Sequence, residues 1–219
     1  DDKKMSKSLG NILDPIQIIE NYGIDQLRYY LVKEVSLGND GSISMENLTN
    51  CINNDLANNY GNLCQRVFSF IKKNCSNKIP NNMEFNDVDN KLLNELKDNV
   101  PKLIELINKQ NLNEYIKKVV SFSFDANKYF NDSEPWAIKK IDFKRMEVIL
   151  FTISEQIKNI SILLNPIIPN ATNKVLETMN INVENRNIKC INKLDCFNHN
   201  LELKNLEILF KKIEIENDN

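Results

Sequence analysis

An all-α fold is predicted by three features of this 219-residue sequence. Glycine and proline number only 5 and 6, which is few for a fold rich in turns. Apolar residues recur at helical spacing over long stretches, and no alternation of strands with helices is visible. With 42% hydrophobic and 26% charged residues, the chain is able to bury a core. We therefore expect a helical bundle preceded by a short helical connector and a loop.

The first elements are a loop and two small helices. The stretch KKMSKSLGN, residues 3–11, is typical of a mobile loop. Asp14 and Pro15 then provide an N-cap and a first helical residue, and Gly23 ends the helix that they begin. A second helix is predicted over residues 25–35, before the turn-rich stretch SLGNDGS.

A long helix and a second, interrupted helix follow. Ser44 is a good N-cap for a helix that continues to about Asn74, with Gly61 inside it as a bend or a close packing contact. After a polar loop, the helical pattern resumes at Asp87. Pro101 lies within this pattern and is predicted to kink or break the helix.

The second half of the chain carries further helices and then loses regularity. Asn111 is predicted to cap one helix and Ser133 to cap a short one. A strong helix covers residues 143–164, and a last short helix covers 171–179. The stretch from 180 to 205 is polar and irregular.

These elements divide the chain into three predicted parts. Residues 1–43 form the loop and connector, residues 44–200 the bundle, and residues 201–219 a tail. Phenylalanines at helical spacing are predicted to lie in the core of the bundle: Phe122, Phe124, Phe130, Phe143 and Phe151.

Composition limits the class of function. A net charge of -2 excludes a basic surface over the whole chain, so any nucleic-acid site must be local. Five scattered cysteines indicate a reducing compartment, which we take as the cytoplasm. No apolar run approaches the roughly 18 residues that would span a membrane. Cys190, Cys196 and His199 match no zinc signature, so no metal site is predicted.

The opening loop has a composition suited to polyphosphate. Two lysines offer point charges, and the serines add hydroxyl donors. A lysine-rich pentad is ordinarily a solvated terminus, but KMSKS followed by LGN and DP resembles the signature loop of class I aminoacyl-tRNA synthetases. The resemblance implies that Lys7 stabilises the phosphates of ATP while the amino acid displaces pyrophosphate, and that Lys4 is a supporting charge. The implied ATP-binding loop is Lys4, Met5, Ser6, Lys7 and Ser8.

A polar stripe is predicted on the long helix. Asn58, Asn62 and Arg66 are four residues apart, so they share one helix face. Amides and a guanidinium in a row can read the Watson–Crick edge of an unstacked base. The alternative is an asparagine-rich solvent face, which is the better account of Asn58 taken alone.

The single tryptophan, Trp136, follows a proline at a predicted helix start. A lone tryptophan is usually a core anchor. However, NNDLANNYGNLCQR and the Pro-Trp pair together resemble methionyl-tRNA synthetases, in which this tryptophan stacks on a base of the anticodon. Such stacking is worth about 1–3 kcal/mol per base. The resemblance also implies that Asn62 and Arg66 bond the first anticodon base, with Asn58 as a supporting donor.

The resemblance implies a function for the chain and for a longer parent. The parent would be methionine–tRNA ligase, which uses ATP and Mg²⁺ to activate methionine and attach it to tRNA(Met). Its catalytic domain precedes the loop, so we expect the chain alone to be inactive, to bind no cofactor and to work with that missing domain. Two alternatives stay open: the corresponding part of another class I synthetase, or a helical protein-interaction module. The second predicts a buried Trp136 and a stripe without partners.

Overall fold

The computed structural model describes residues 14–34 and 44–214. None of these residues lies in a strand, so the all-α prediction is confirmed. The helices are α1 (Pro15–Tyr22), α2 (Ile24–Glu34), α3 (Met45–Cys51), a π-helical segment (Ile52–Gly61), α4 (Asn62–Asn74), α5 (Asp87–Asn108), α6 (Leu112–Asp132), α7 (Pro135–Ile138), α8 (Phe143–Leu164) and α9 (Pro169–Thr178), with 3-10 turns at Val183–Asn185 and Ile188–Cys190.

The bounds of α1 follow from local chemistry, as predicted. The side chain of Asp14 accepts a hydrogen bond from the amide of Ile16 at 2.9 Å, and Pro15 occupies the first helical position, where no amide donor is needed. Gly23 ends the helix with a φ of 105°, a conformation that a side chain would disfavour. The chain therefore turns at once into α2.

The long helix that begins after Ser44 is not α-helical throughout. The hydroxyl of Ser44 accepts from the amide of Asn47 at 3.1 Å, which confirms the predicted cap. Between Ile52 and Gly61 the turns widen, and the amide of Asn62 reaches back five residues to the carbonyl of Ala57. π-Helical turns are rare and are often found at functional sites.

The helix α5 begins with a capping box and continues through a proline. The side chain of Asn86 accepts from the amide of Asp89, and the carboxylate of Asp89 accepts from the amide of Asn86. Of the kink or break predicted at Pro101, the break is wrong, because Pro101 lies inside the continuous helix α5. Its ring is exposed, and packing of α5 against α6 and α8 keeps the helix continuous.

The turn between α6 and α7 differs from the predicted one. Asn111 stands at the N-cap position of α6 but makes no capping bond through its side chain. Ser133 ends α6 and does not cap α7, so that prediction is wrong. Glu134 precedes Pro135 with a φ of 42°, in the left-handed region that few residues other than glycine adopt. The short helix α7 is thereby set against the end of α6.

The helix α8 is the centre of the bundle. Asp142 caps it by accepting from the amide of Arg145, and every residue from 148 to 164 is buried. It packs against α4, α5, α6, α7 and α9. Pro169 is the first residue of α9, a position that suits its missing amide donor.

The tail returns to the π-helical segment and to α4, where amide side chains fix it. Asn53 and Ile213 exchange two hydrogen bonds, of 2.9 and 2.8 Å. Gln65 donates to the carbonyls of Leu206 and Glu207. Across the described ranges, no helix is both long and apolar enough to cross a bilayer.

Candidate nucleic-acid interface

The predicted polar stripe lies on the solvent face of the long helix. Asn58 is in the π-helical segment, Asn62 is the first residue of α4, and both are exposed. Arg66 follows one turn later and is half-buried. Residues Asn59 and Leu63 point inward and are buried, which fixes the stripe on the outer face.

A side chain of α6 holds the helix that carries the stripe in place. The amide nitrogen of Asn127 donates to the side-chain oxygen of Asn59 at 2.8 Å and to its carbonyl at 3.3 Å. The same nitrogen also lies 3.0 Å from the carbonyl of Ser123, within α6. Because Asn59 directly follows Asn58, this contact fixes the position of the backbone at the stripe relative to α6.

A buried phenylalanine ring supports Arg66. The guanidinium carbon of Arg66 lies 5.4 Å from the centre of the Phe130 ring, within the range of a cation–π contact. One guanidinium nitrogen donates to the side-chain oxygen of Asn131 at 2.7 Å. Arg66 is thus fixed by two consecutive residues near the end of α6. Among residues 14–34 and 44–214, its other donors have no hydrogen-bond partner and could meet a ligand.

The same ring also contacts Trp136. The Phe130 and Trp136 rings are 6.0 Å apart at an angle of 80°, a favourable edge-to-face arrangement. Trp136 is 40% exposed, whereas Phe130 is only 2% exposed. Pro135, the first residue of α7, is buried and anchors the short helix. The indole therefore stands at the surface, on the same ring that contacts Arg66.

A lysine extends the surface beyond the tryptophan. The ammonium group of Lys139 lies 5.7 Å above the ring of Phe70 and donates to the side-chain oxygen of Asn74 at 2.9 Å. Phe70 in turn packs edge-to-face on Phe130 at 6.3 Å. Lys139 is held by a neutral amide and a ring, so its positive charge is not cancelled by a carboxylate in this contact.

This arrangement has the chemistry of a surface for single-stranded RNA. An exposed indole offers a stacking face to any base, and a guanidinium and amides beside it offer specific hydrogen bonds. A fixed lysine nearby offers charge for a phosphate, which adds affinity without sequence preference. The face would suit a base that is already unstacked, as in a loop.

The structure brings part of the predicted site together. Arg66 and Trp136 meet through Phe130, and Asn58 and Asn62 continue the surface along the long helix. The predicted ATP-binding loop, Lys4 to Ser8, lies outside the described residues.

Sequence reasoning missed the supporting roles of Phe130 and Asn131. Phe130 was expected only in the core, and burial confirms that position, but its ring also contacts both Arg66 and Trp136. The available signal was that both residues lie just before the Pro-Trp pair. Phe124 and Phe143 were also expected in the core, and that is wrong because each is 51% exposed.

The cysteines and the histidine near the end of the chain have structural partners. A ring nitrogen of His199 lies 3.0 Å from the carbonyl of Ile79, and the ring stacks on Phe151. Cys190 and Cys196 are buried, and burial raises the pKa of the Cys196 thiol. Over residues 14–34 and 44–214, no three metal-binding side chains lie together.

Two family models match the chain. Residues 79–219 match the anticodon binding domain of methionyl tRNA ligase, and residues 1–68 match class I tRNA synthetases (M). Methionine–tRNA ligase of Brucella suis is 38% identical over 184 residues, which are 84% of this chain and 36% of that protein. The enzyme of Rickettsia felis is 37% identical over 191 residues, 85% of this chain and 37% of that protein.

Solved structures of similar proteins have the same fold. Mycobacterium tuberculosis methionyl-tRNA synthetase bound by methionyl-adenylate superposes with a TM-score of 0.88 at 32% identity, over 95% of this chain and 42% of that one. Its apo form gives 0.86 at 29% identity, over 94% of this chain and 42% of that one. The chain spans little more than a third of the length of the curated relatives named above.

Proposed function

Since the chain belongs to the methionyl-tRNA ligase family, we propose that it binds the CAU anticodon of methionine tRNA. In this proposal Trp136 stacks on an unpaired anticodon base, and Asn62 and Arg66 bond the edge of the first base. Asn58 adds a supporting donor. In this proposal a small part of the surface recognises the anticodon, which agrees with a net charge of -2 for the chain.

One observation carries the proposal: Trp136 is exposed, and both it and Arg66 contact the ring of Phe130. A module that binds proteins through other faces would bury its only tryptophan, as a core anchor. The exposed indole argues against that alternative. The match of residues 79–219 to the methionyl model argues against another class I synthetase.

The donors beside the indole suit cytosine, the first base of CAU. Arginine has donors only, so Arg66 pairs with the two acceptors on the Watson–Crick edge of cytosine. An asparagine amide both donates and accepts, so Asn62 is able to receive the exocyclic amino group as well. A purine at this position would present a different pattern and a larger ring.

We propose that the whole protein activates methionine with ATP and Mg²⁺ and transfers it to this tRNA in the cytoplasm. The Mycobacterium tuberculosis relative has been solved with methionyl-adenylate, the product of the first step. In the proposal, Lys7 and Lys4 of the KMSKS loop supply positive charge to the phosphates. The catalytic domain that binds methionine would be a partner of the present chain within the parent enzyme.

The proposal is tested by measuring the affinity of the 219-residue chain for tRNA with the anticodon CAU. The measurement is repeated at two salt concentrations, with the first anticodon base changed, and with Trp136→Ala. We expect each change to lower affinity about 10-fold or more, because stacking and base-edge bonds are each worth roughly 1–3 kcal/mol. Salt should lower the affinity of all the tRNAs alike, since it acts on phosphate contacts.

The matched control is Phe124→Ala, which removes a different exposed aromatic ring, one that lies on α6. It should leave the affinity for CAU tRNA and the preference for the first base unchanged. Equal binding of all anticodons by the unaltered chain, or equal effects of Trp136→Ala and Phe124→Ala, would contradict the proposal.

A further inference from the structure

The geometry points to Phe130 as a positioning residue: we infer that its buried ring orders Arg66 and Trp136 as one unit before RNA arrives. This inference rests on the proposed function. In this inference the core residue Phe130 couples Trp136, which stacks on a base, to Arg66, which bonds the edge of a base. Phe130 itself would touch no RNA, since it is 2% exposed.

The contacts of the Phe130 ring carry the argument. The guanidinium carbon of Arg66 lies 5.4 Å from the ring centre, where the negative face of the ring attracts a cation. The indole of Trp136 stands nearly perpendicular to the same ring at 6.0 Å, and the ring of Phe70 also packs edge-to-face on it at 6.3 Å and 82°. One ring thus sets the place of both surface groups.

Both groups need such support. Arginine has a long flexible side chain, and ordering it during association lowers affinity. Trp136 is on α7, a helix of only four residues that begins after a left-handed Glu134. A single turn has little stability of its own, so the indole depends on its packing for a fixed position. A ring that fixes both before binding removes part of the ordering cost.

Asn131 completes the arrangement. It follows Phe130 on α6 and accepts a hydrogen bond from Arg66 at 2.7 Å. Phe130 positions the guanidinium over its face, and Asn131 fixes the rotation of the guanidinium plane. Together they fix the guanidinium of Arg66 on the same ring that contacts the indole of Trp136.

The test compares Phe130→Leu with Phe122→Leu in the full chain. Both phenylalanines are buried on α6, at 2% and 1% exposure, but Phe122 contacts Lys118 and neither surface group. We expect Phe130→Leu to lower affinity for CAU tRNA about 10-fold, the loss expected from an aromatic pair and a cation–π contact. Its preference for cytosine at the first base should shrink, whereas Phe122→Leu should keep it.

The lone tryptophan supplies a second readout in the free protein. Phe130→Leu should change the emission of Trp136 and its quenching by acrylamide, and Phe122→Leu should not. If Phe130→Leu matches Phe122→Leu in base preference and in fluorescence, the inference is overturned, while the proposed function stands as long as Trp136→Ala still removes binding. If Arg66→Ala and Trp136→Ala also leave binding unchanged, the proposed function fails too.

A double-mutant cycle keeps the inference testable even if Phe130→Leu does not fold. With Phe130 unchanged, the affinity for CAU tRNA is measured for Arg66→Ala, for Trp136→Ala and for the variant that carries both. The loss in the double variant is then compared with the product of the two single losses. Groups that share one ring should be coupled, so the double variant should lose about 5-fold less affinity than the product of the single losses. Losses that multiply to within about 2-fold would overturn the inference.

Discussion

At the scale of single residues, the buried carboxylate of Asp89 shows how this fold tolerates charge. Asp89 is fully buried and accepts hydrogen bonds from Arg145, Tyr129 and the amide of Asn86. Burial by itself would raise the pKa of Asp89, but the bonds from Arg145 and Tyr129 outweigh it and lower the pKa. The carboxylate therefore stays ionised and ties α5, α6 and α8 together.

Replacement of Arg145 should show how strongly the buried charge of Asp89 destabilises the fold when its partner is missing. We expect Arg145→Met to lower the free energy of unfolding by about 3–5 kcal/mol, because it leaves Asp89 buried without its cation. Urea unfolding followed by circular dichroism measures the loss. The double variant Asp89→Asn with Arg145→Met should recover much of the stability, since no charge is then left buried. Equal losses in the single and double variants would contradict this account.

A second buried pair makes stability depend on pH. Glu155 and Lys158 of α8 are both fully buried, with 2.7 Å between the ammonium nitrogen and a carboxylate oxygen. Burial raises the pKa of Glu155 from 4.5 to about 7, although Lys158 and Asn159 act in the opposite direction; the nearby Asp195 adds to the rise. Between these two values the folded chain binds more protons than the unfolded chain does.

Stability should therefore fall as pH rises from 5 to 8. The contribution of Glu155 is fully present below pH 4.5 and is lost through pH 7, and its size is on the order of a few kcal/mol. Glu155→Gln should flatten this pH dependence, whereas Glu147→Gln, a half-buried residue of the same helix, should leave it unchanged. Urea unfolding at a series of pH values makes the comparison, and parallel curves for all three proteins would refute the assignment.

At the scale of elements, the π-helical segment is the part of the long helix with the most external anchors. Asp55 accepts hydrogen bonds from Tyr29 and Lys33 of α2, at 2.7 and 2.6 Å. Asn59 is bonded to α6, and Asn53 to the tail. Widened turns are intrinsically unfavourable, so these anchors account for their persistence at this place. The segment ends where the polar stripe reaches α4.

Gly61 should control how closely the tail packs on this segment. A Cβ atom at Gly61 would lie 3.3 Å from the Phe210 ring and 3.0 Å from the carbonyl oxygen of Leu56. We expect Gly61→Val to displace the tail, so that limited proteolysis cleaves residues 206–214 at least about 10-fold faster, because local opening sets the cleavage rate. The helical circular dichroism signal should stay unchanged.

The matched control for this change is Asn54→Val, at an exposed position of the same π-helical segment. It adds the same side chain without meeting the tail, so it should leave the proteolysis rate as it is. Equal cleavage rates in the two variants would show that the close contact at Gly61 does not hold the tail.

Much of this architecture was accessible from the sequence, because its signals are local. The caps at Asp14 and Ser44, the Gly23 stop and the full span of α8 depend on nearby residues, and the structure confirms them. The π-helical segment depends on distant anchors, which no local pattern reveals. The break expected at Pro101 failed because tertiary packing outweighed a local cost of about 3 kcal/mol.

The candidate site also has one part that the sequence predicted and one part that it did not. The surface groups Asn62, Arg66 and Trp136 were predicted from residue type, spacing and family resemblance, and their role in binding RNA stays a prediction. The support beneath them, Phe130, was assigned to the core because helical spacing does not reveal which surface groups a buried ring contacts. Only the packing of α4, α6 and α7 provides that information.

At the scale of the whole molecule, the connector and the bundle share one core. Tyr29 and Tyr30 of α2 are fully buried, and Asp25 accepts from the amide of Ala171 at the start of α9. Arg28 donates to the carbonyls of Pro166 and Ile167 at 2.8 Å each. The division after residue 43 stays a prediction, but Leu27, Tyr29 and Tyr30 of α2 belong to the same hydrophobic core as the bundle helices.

The chain by itself should form no methionyl-adenylate. Its sequence has no alternation of strands and helices that would build a nucleotide-binding fold. We expect exchange of pyrophosphate into ATP, with methionine present, to stay at the level of a protein-free blank. A methionine–tRNA ligase with the full length of the curated relatives serves as the positive control. Methionine-dependent exchange by the 219-residue chain would refute this expectation.

The central position of α8 has a consequence for how the molecule is made on the ribosome. The α4, α5 and α6 helices emerge before α8, but α9 and the 3-10 turn at Ile188–Cys190, which cover its other side, are synthesised only afterwards. Until residues 169–190 have left the ribosome and folded, one side of α8 would therefore remain an uncovered apolar surface. Because synthesis adds roughly 5–20 residues per second, this surface would stay open for seconds. Chaperone capture during translation should therefore be strongest in that interval and should end once the last fifth of the chain has packed.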